Sequence, residues 1–178
     1  MVRQHGFTLI EIVAVICLLA VVMSFVAADM GSLIRRPRYE AAVRRVVANL
    51  SRARTEARLR RLPVHACAAN FKSNLDLQGC LPLPKQGPPY RWEQGLIVFY
   101  DRPDGIAGVY DSKELLAVNP LDPGLPLQLS AMQQRLTFLP SGLLSESRVE
   151  LEFRARQDDW CRRIVVYKAG MVRQLECA

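Results

Sequence analysis

The chain has only two histidines, His5 and His65, among its 178 residues. It has no G-x-S-x-G, H-E-x-x-H or phosphate-loop pattern, the motifs that mark many hydrolases, metalloproteases and nucleotide-binding proteins. It has no C-x-x-C pair, which argues against zinc, and no EF-hand spacing, which argues against that type of calcium site. These absences predict a protein that is not an enzyme and that carries no metal and no cofactor.

The excess of positive over negative charge is concentrated in one segment. The net charge is +7, and residues 35–61 hold ten arginines against two glutamates, which is 10 − 2 = +8, so the rest of the chain is near neutral. Half of the residues are apolar, and no internal repeat is present. This composition excludes a disordered chain, and the roughly 150 residues after the N-terminal apolar run are enough for one domain with its own core.

An apolar run extends from Phe7 to Ala28, and Glu11 is its only charged residue. As a helix it would be roughly 30 Å long, the thickness of a bilayer core. A carboxylate at that depth costs roughly 2.5–3.5 kcal/mol, so the run predicts a membrane-spanning helix in which Glu11 has a specific role. Two alternatives stay open: a secretory signal that is cut before Asp29, and a Glu11 that snorkels to the interface.

A second helical pattern follows within residues 29–62. Apolar residues recur there at three- and four-residue spacing: Val43, Val46, Val47, Leu50, Ala53 and Ala57. This stripe predicts a helix that packs on a sheet, with its arginines on a solvated face or against lipid headgroups or neighbouring subunits. Pro37 predicts a kink or break near Arg36, and Leu62-Pro63 predicts the helix end.

After Pro63 the pattern changes to short strands and turns. Val149, Leu151 and Phe153 alternate with Glu150 and Glu152, which indicates a half-buried strand. Eight strands are predicted, at 64–69, 95–100, 114–118, 127–130, 135–140, 149–155, 161–168 and 171–177. Turns are predicted at 139–142 and 168–170 and an exposed loop at 70–90, so the fold class is α+β.

Four cysteines lie outside the apolar run: Cys67, Cys80, Cys161 and Cys177. Their even number indicates an oxidising compartment and two disulfides. The sequence leaves three pairings open, as well as four free buried thiols.

The N-terminal stretch "GFTLIE", Gly6 to Glu11, resembles the processing site of type IV prepilins and of type II secretion pseudopilins. The resemblance implies a leader of residues 1–6, cleavage after Gly6 by prepilin peptidase, and N-methylation of Phe7. It also implies an assembly role for Glu11, which would meet the Phe7 amine of a neighbouring subunit. Arg35, Arg36 and Arg38 follow the apolar run and by the positive-inside rule favour a cytoplasmic domain, but the motif and the cysteines place that domain in the periplasm.

Three later stretches are similar to the GspH/FimT-type minor pilins and pseudopilins. They are "SRARTEARLRRLPVHAC" (51–67), "WEQGLIVFYD" (92–101) and "DGIAGVYDSKELL" (104–116). The resemblance implies a pilin-like α+β fold, with a long kinked N-terminal helix packed on antiparallel sheets. It divides the chain into a leader (1–6), a transmembrane or filament-core helix (7–28), a basic amphipathic helix (29–62) and a β-rich head (63–178). It also implies disulfides from Cys67 to Cys80 and from Cys161 to Cys177.

The family implies a non-catalytic minor subunit at a filament tip. The first expectation is a minor pseudopilin of a type II secretion system; the alternatives are a minor pilin of a type IV pilus and a secreted binding domain. Expected partners are the other pilins of the filament, prepilin peptidase and the inner-membrane assembly platform. The expected location is the bacterial inner membrane, crossed once, with the head in the periplasm.

Some FimT-type proteins bind DNA and share a C-terminal G-R-x-R turn. Here Met171 replaces the first arginine between Gly170 and Arg173, which favours secretion over DNA uptake. A basic patch near the turn would still allow phosphate contacts. Its candidate residues are Arg162, Arg163, Lys168 and Arg173.

Two further readings concern chemistry in the head. His65 and Cys67 would share one face of a strand, as a Cys–His nucleophile needs, but a disulfide is the favoured role for Cys67. Four acids cluster just downstream, at Asp101, Asp104, Asp111 and Glu114. An acidic turn is favoured there over a calcium site, which would need six to eight oxygen ligands.

Overall fold

The computed structural model of the protein describes residues 9–85 and 87–177, and at positions 22 and 24–33 it describes the backbone alone. One long helix, α1 (Leu9–Arg60), precedes the strands, and the strands pair antiparallel, so the α+β prediction is confirmed. The chain divides into two compact units, residues 1–38 and 39–178. The second is called the C-terminal unit.

Helix α1 continues through Pro37, so the proline does not end it. Arg61 has a positive φ of 56°, and Pro63 then begins the path into the first strand. A left-handed residue followed by proline cannot extend a helix, which explains why the predicted end is close to the observed one.

The described residues form ten strands. In chain order these are β1 (Val64–Phe71), β2 (Leu77–Cys80), β3 (Tyr90–Arg91), β4 (Gly95–Tyr100), β5 (Leu115–Pro120), β6 (Leu127–Ala131), β7 (Arg135–Phe138), β8 (Arg148–Ala155), β9 (Cys161–Tyr167) and β10 (Val172–Glu176). The first sheet has the order β2-β1-β4-β5, with β7 also paired to β1; the second has the order β10-β9-β8-β6-β3. A short 3-10 helix, Ser112–Glu114, precedes β5.

The prediction of an exposed loop over 70–90 is wrong in part, because β2 lies inside it and β3 begins at its last residue, Tyr90. Strand β1 extends past its predicted end to Phe71 and pairs with β2 through Ala69 and Cys80. The "LQGC" of β2 gave no alternating signal, and Gly79 has a φ of +123°. Pairing and a cross-link, rather than hydrophobic pattern, define this strand.

The helix and both sheets share one core. In the C-terminal unit the predicted stripe is buried at Val43, Val46, Leu50, Ala53 and Ala57, and Val47 is half-buried against the same core. Inward-facing residues of both sheets complete it, including Val64, Leu96, Leu129, Leu151, Phe153 and Ile164. A smaller cluster lies on the other face of the first sheet, around Cys67, Ala69, Ile97 and Phe99.

Both disulfides implied by the resemblance are present. Cys67 is joined to Cys80, and Cys161 to Cys177, so the reading as four free thiols is wrong. With sequence separations of 13 and 16 residues, each closure stabilises the unit by about 3 kcal/mol in the chain-entropy model.

The first residues of the C-terminal unit are fixed to the second sheet. The Tyr39 hydroxyl donates to Asp158 over 3.1 Å, and the Tyr39 ring lies 5.0 Å from the ring of Trp160. Glu40 accepts from Arg162 at 2.9 Å and from Gln174 at 3.0 Å. These six residues are called the Tyr39 clamp, and they bind the helix to β9 and β10 at one end of the unit.

Candidate functional site

The N-terminal processing residues Gly6 and Phe7 lie outside the described residues. Glu11 is exposed in the first turn of α1, among apolar side chains that are also exposed: Leu9 by 81%, Ile10 by 76% and Ile12 by 52%. Isolated apolar surface of this extent marks a site of association. In the part of the chain that the structure describes, no helix combines the length and the apolar character that a membrane span requires.

His65 is buried on β1 beside the smaller apolar cluster. Its Nδ1 lies 2.9 Å from the Thr137 hydroxyl, and its Nε2 lies 3.5 Å from a carboxylate oxygen of Asp101. Cys67 has no free thiol because it is bonded to Cys80, so the Cys–His nucleophile is excluded. The contacts give His65 a structural role between β1, β7 and the loop after β4.

Burial lowers the pKa of His65 below its ordinary value of 6.5, and the charge of Arg135 lowers it further, whereas Asp101 opposes the shift. The unfolded chain therefore takes up this proton more readily than the folded chain. Stability from this group is fully present above about pH 6.5 and decreases as the pH falls towards the lower folded pKa.

We expect the free energy of unfolding to fall more steeply from about pH 8 to about pH 5 in the native protein than in a His65→Gln variant. Both proteins keep every carboxylate and His5, so the difference between their slopes isolates His65. Urea unfolding at several pH values, followed by circular dichroism, measures it. Equal slopes would contradict the assignment.

Acidic side chains in the loop after β4 accept hydrogen bonds from the backbone N–H groups of the same loop. Glu114 is buried, and its two carboxylate oxygens accept the backbone N–H groups of Arg102 at 3.1 Å and Asp111 at 2.9 Å. Asp101 accepts another N–H of the same loop, and Asp104 forms an ion pair with Arg102. These bonds shape the loop and favour the acidic-turn reading.

Two of the four predicted basic residues lie away from the 168–170 turn. In the β9–β10 register Arg162 is opposite Glu176, at the far end of the hairpin. Arg162 pairs with Glu40 at 2.9 Å and Glu176 at 3.3 Å, and Arg163 pairs with Glu150 at 3.6 Å. Their charges are largely compensated, which reduces their attraction for a phosphate.

The other two lie nearer the turn. Lys168 is exposed and donates from its Nζ to the carbonyl oxygen of Ser145 at 2.9 Å, and Arg173 is exposed opposite Val165. The structure therefore does not gather all four residues into one patch.

Helix arginines lie at the turn instead. Arg54 donates to the Gly142 carbonyl over 3.2 Å, and its Nε would be 2.7 Å from a Cβ at Gly170; the Arg58 Cδ would be 2.6 Å from a Cβ at Gly142. Among the described residues no carboxylate forms an ion pair with Arg54 or Arg58. Arg54, Arg58 and Lys168 are called the basic turn surface.

Comparison with known families shows which protein family the chain belongs to. A family model described as type II transport protein GspH matches residues 42–170, most of the chain. The chain belongs to the GspH family. A second model, described as the prokaryotic N-terminal methylation motif, matches residues 1–27. This GspH-family chain is therefore a protein of the minor pilin and pseudopilin type with a prepilin motif, as the sequence resemblance predicted.

Two crystal structures of the type IV minor pilin FimU from Pseudomonas aeruginosa (strain PAO1) share the fold of this GspH-family chain. Their TM-scores are 0.52 and 0.56, each at 18% identity. The matches cover 76% and 79% of this chain, and 91% and 90% of the FimU chains. No protein of curated function matches the chain.

Sequence reasoning about this GspH-family chain missed the Tyr39 clamp. Tyr39 lies four residues before Val43, so extending the apolar stripe by one turn would have included it. Asp158 and Trp160 lie in "QDDW", where no periodic pattern marks them. The basic turn surface was missed because Lys168 is more than 100 residues from Arg54 and Arg58 in the chain.

Proposed function

We propose that this GspH-family chain is a minor pseudopilin of a type II protein secretion system. In this proposal prepilin peptidase removes residues 1–6, Phe7 is N-methylated, and the subunit moves from the inner membrane into a short filament. The subunit acts by assembly and not by catalysis. The observation that carries the proposal is the GspH match over residues 42–170, joined to a prepilin motif at the N-terminus.

The exposed apolar part of α1 supports assembly. Lipid tails are as apolar as leucine, so transfer of such a helix from bilayer to filament gains little hydrophobic energy. Packing and specific polar pairs must select the register instead. Glu11, exposed within the apolar surface, is suited to meet the amine of Phe7 on a neighbouring subunit.

The C-terminal unit is suited to remain folded in the periplasm while the apolar part of α1 moves from the bilayer into a filament. Its two disulfides fit an oxidising compartment. The helix segment from Tyr39 onward is buried in the core and fixed by the Tyr39 clamp. We therefore propose a single membrane anchor with the unit on the periplasmic side, in contact with other pseudopilins and the assembly platform.

A minor pilin of a type IV pilus is the second candidate. The fold of the FimU minor pilins favours it, and so does the basic turn surface, whose side chains would suit the phosphates of DNA. A secreted binding domain, released after Ala28, is a third candidate that an N-terminus at Asp29 would establish.

In-cell cross-linking tests the proposed function. Leu83 is 76% exposed and lies in the loop before β3, so a Leu83→Cys variant presents a reactive thiol on this loop. We expect it to capture pseudopilins or an exported protein, identified by mass spectrometry. Ile106→Cys, at an exposed site in the loop after β4, serves as the matched control.

Capture of pilus subunits would support the second candidate instead. DNA binding by the basic turn surface would then be measured against an Arg58→Glu variant. Protein that is found free in the periplasm and starts at Asp29 would overturn both filament candidates.

A further inference from the structure

Three arginines follow the apolar N-terminal run, on the side of the membrane that the proposed function assigns to the periplasm. Residues 29–38 hold one acid, Asp29, and three arginines, which gives a net charge of 3 − 1 = +2: Arg35, Arg36 and Arg38. Lysine and arginine are normally enriched on the cytoplasmic side of a membrane helix, so this charge lies on the opposite side. The proposed assembly gives the three arginines no task. They are called the arginine collar.

The collar is available for contact with an anion. Arg36 and Arg38 are exposed on α1, and Arg35 is half-buried. Among the side chains that the structure describes, no carboxylate forms an ion pair with Arg36 or Arg38. The next acid along the chain, Glu40, is already paired with Arg162 at 2.9 Å. The two exposed guanidinium groups therefore keep their full charge for an external partner.

Pro37 indicates where the hydrocarbon layer ends. Helix α1 continues through Pro37, which has no N–H, so the backbone carbonyl of Leu33 lacks the donor that a helix normally provides. A carbonyl without a donor is costly in hydrocarbon. In the proposed anchor residue 33 therefore lies where water or headgroups reach it, and the collar follows directly.

Helix geometry gives the same boundary. At 1.5 Å per residue the collar begins about 10 Å beyond Ala28, and Arg38 lies about 15 Å beyond it. The headgroup layer is about 5–7 Å deep on each side of a bilayer. Helical side chains lean towards the N-terminus of their helix, which here is the bilayer side, and the long stem of arginine carries its charge towards the phosphates.

We propose that the arginine collar binds the phosphates of anionic phospholipids at the periplasmic surface of the inner membrane. This inference rests on the proposed function, because residues 7–28 must be anchored in that membrane. A guanidinium group donates two parallel hydrogen bonds to a phosphate, and each basic residue at an anionic surface adds attraction. The contact holds α1 at a fixed depth, and entry into a filament must break it.

The position of the collar favours lipid over a protein partner. In the proposed topology the collar lies at the headgroup layer while the subunit is unassembled and has no neighbour to supply carboxylates. The preceding residues 30–34 are uncharged, and Ile34 is 50% exposed. Exposed apolar surface followed directly by cations is the order expected across the boundary between acyl chains and phosphates.

Selective quenching by brominated lipids tests the collar. The mature full-length protein, carrying Cys17→Ala and a fluorophore on Ile34→Cys, is placed in phosphatidylcholine vesicles. A minor share of the lipid is brominated, as phosphatidylglycerol in one set and as phosphatidylcholine in the other, and the two quenching curves give the relative association of the two lipids. We expect phosphatidylglycerol to be preferred, and the preference to fall about fivefold for Arg38→Gln.

Arg52→Gln is the matched control, because Arg52 is exposed on the same helix, sixteen residues after Arg36. It removes the same charge as Arg38→Gln and should leave the lipid preference unchanged. The Phe7 amine is present in every variant, so its own attraction for anionic lipid cancels in the comparison.

The outcomes separate the collar from the anchor. Equal association of both lipids, in native protein that floats with the vesicles, would overturn the collar and leave the anchor intact. An equal loss of preference in Arg52→Gln and Arg38→Gln would also overturn it, since net charge alone would then explain the preference. So would a preference that survives in the double variant Arg36→Gln/Arg38→Gln. Protein that does not float with the vesicles would overturn the anchor itself, and with it the proposed function.

Discussion

A Glu11→Leu variant should be cleaved after Gly6 as usual but should enter filaments at least about a hundredfold less often than the native chain. In the proposed assembly the substitution leaves the buried Phe7 amine without a partner, and breaking a buried ion pair in this way costs about 3–5 kcal/mol. The same change makes the helix more apolar, so residence in the membrane should not suffer. The mass of the N-terminal peptide reports cleavage, and the subunit content of sheared or cross-linked filaments reports assembly.

Glu11→Asp is the control, because it keeps the charge on a shorter side chain and should retain much of the assembly. Equal filament content in the Glu11→Leu variant and the native protein would contradict the pairing. Failure of cleavage in Glu11→Leu would show instead that Glu11 acts at the peptidase step.

A Gly170→Ala variant should lose about 3 kcal/mol or more of unfolding free energy. Gly170 has a φ of +74°, where a residue with a Cβ is disfavoured by about 1–2 kcal/mol. The added Cβ would also lie 2.1 Å from the backbone carbonyl oxygen of Gly142, so one of the two turns must move. Denaturant unfolding of the oxidised protein measures the loss.

Gly87→Ala is the matched control, since nothing lies within 4 Å of a Cβ there. We expect it to change stability by less than about 0.5 kcal/mol. Equal stability of the two variants would show that the 139–142 and 168–170 turns do not depend on their close approach. The Gly170→Ala substitution should also displace Arg54, because the new Cβ would lie 2.7 Å from the Arg54 Nε. Any role of the basic turn surface should therefore change in that variant.

The elements that the sequence predicted well are those with a strong local period. The stripe from Val43 to Ala57 became the buried face of α1, and the alternation around Leu151 became β8. The prepilin resemblance likewise rests on contiguous residues, which one sequence displays fully. Family resemblance also supplied the disulfide pairing, which spacing left open.

The features that were missed depend on long-range geometry. Strand β2 has no periodic signal and exists through its pairing with β1 and the Cys67–Cys80 bond. Arg162 and Arg163 do not contribute to a basic patch at the 168–170 turn, because the hairpin register pairs them with the last residues of β10, far from that turn. There they form ion pairs with carboxylates of β10 and β8. Neither partner choice nor register is encoded within a short window of residues.

The Tyr39 clamp determines how the C-terminal unit would respond to mechanical load. Tension applied through the helix reaches the second sheet at Asp158, Trp160 and Arg162, the residues where β9 begins. That end of the β9–β10 hairpin is closed covalently by Cys161 and Cys177. The two strands therefore cannot be unzipped from the end at which the force arrives, and a pulled subunit must yield elsewhere first.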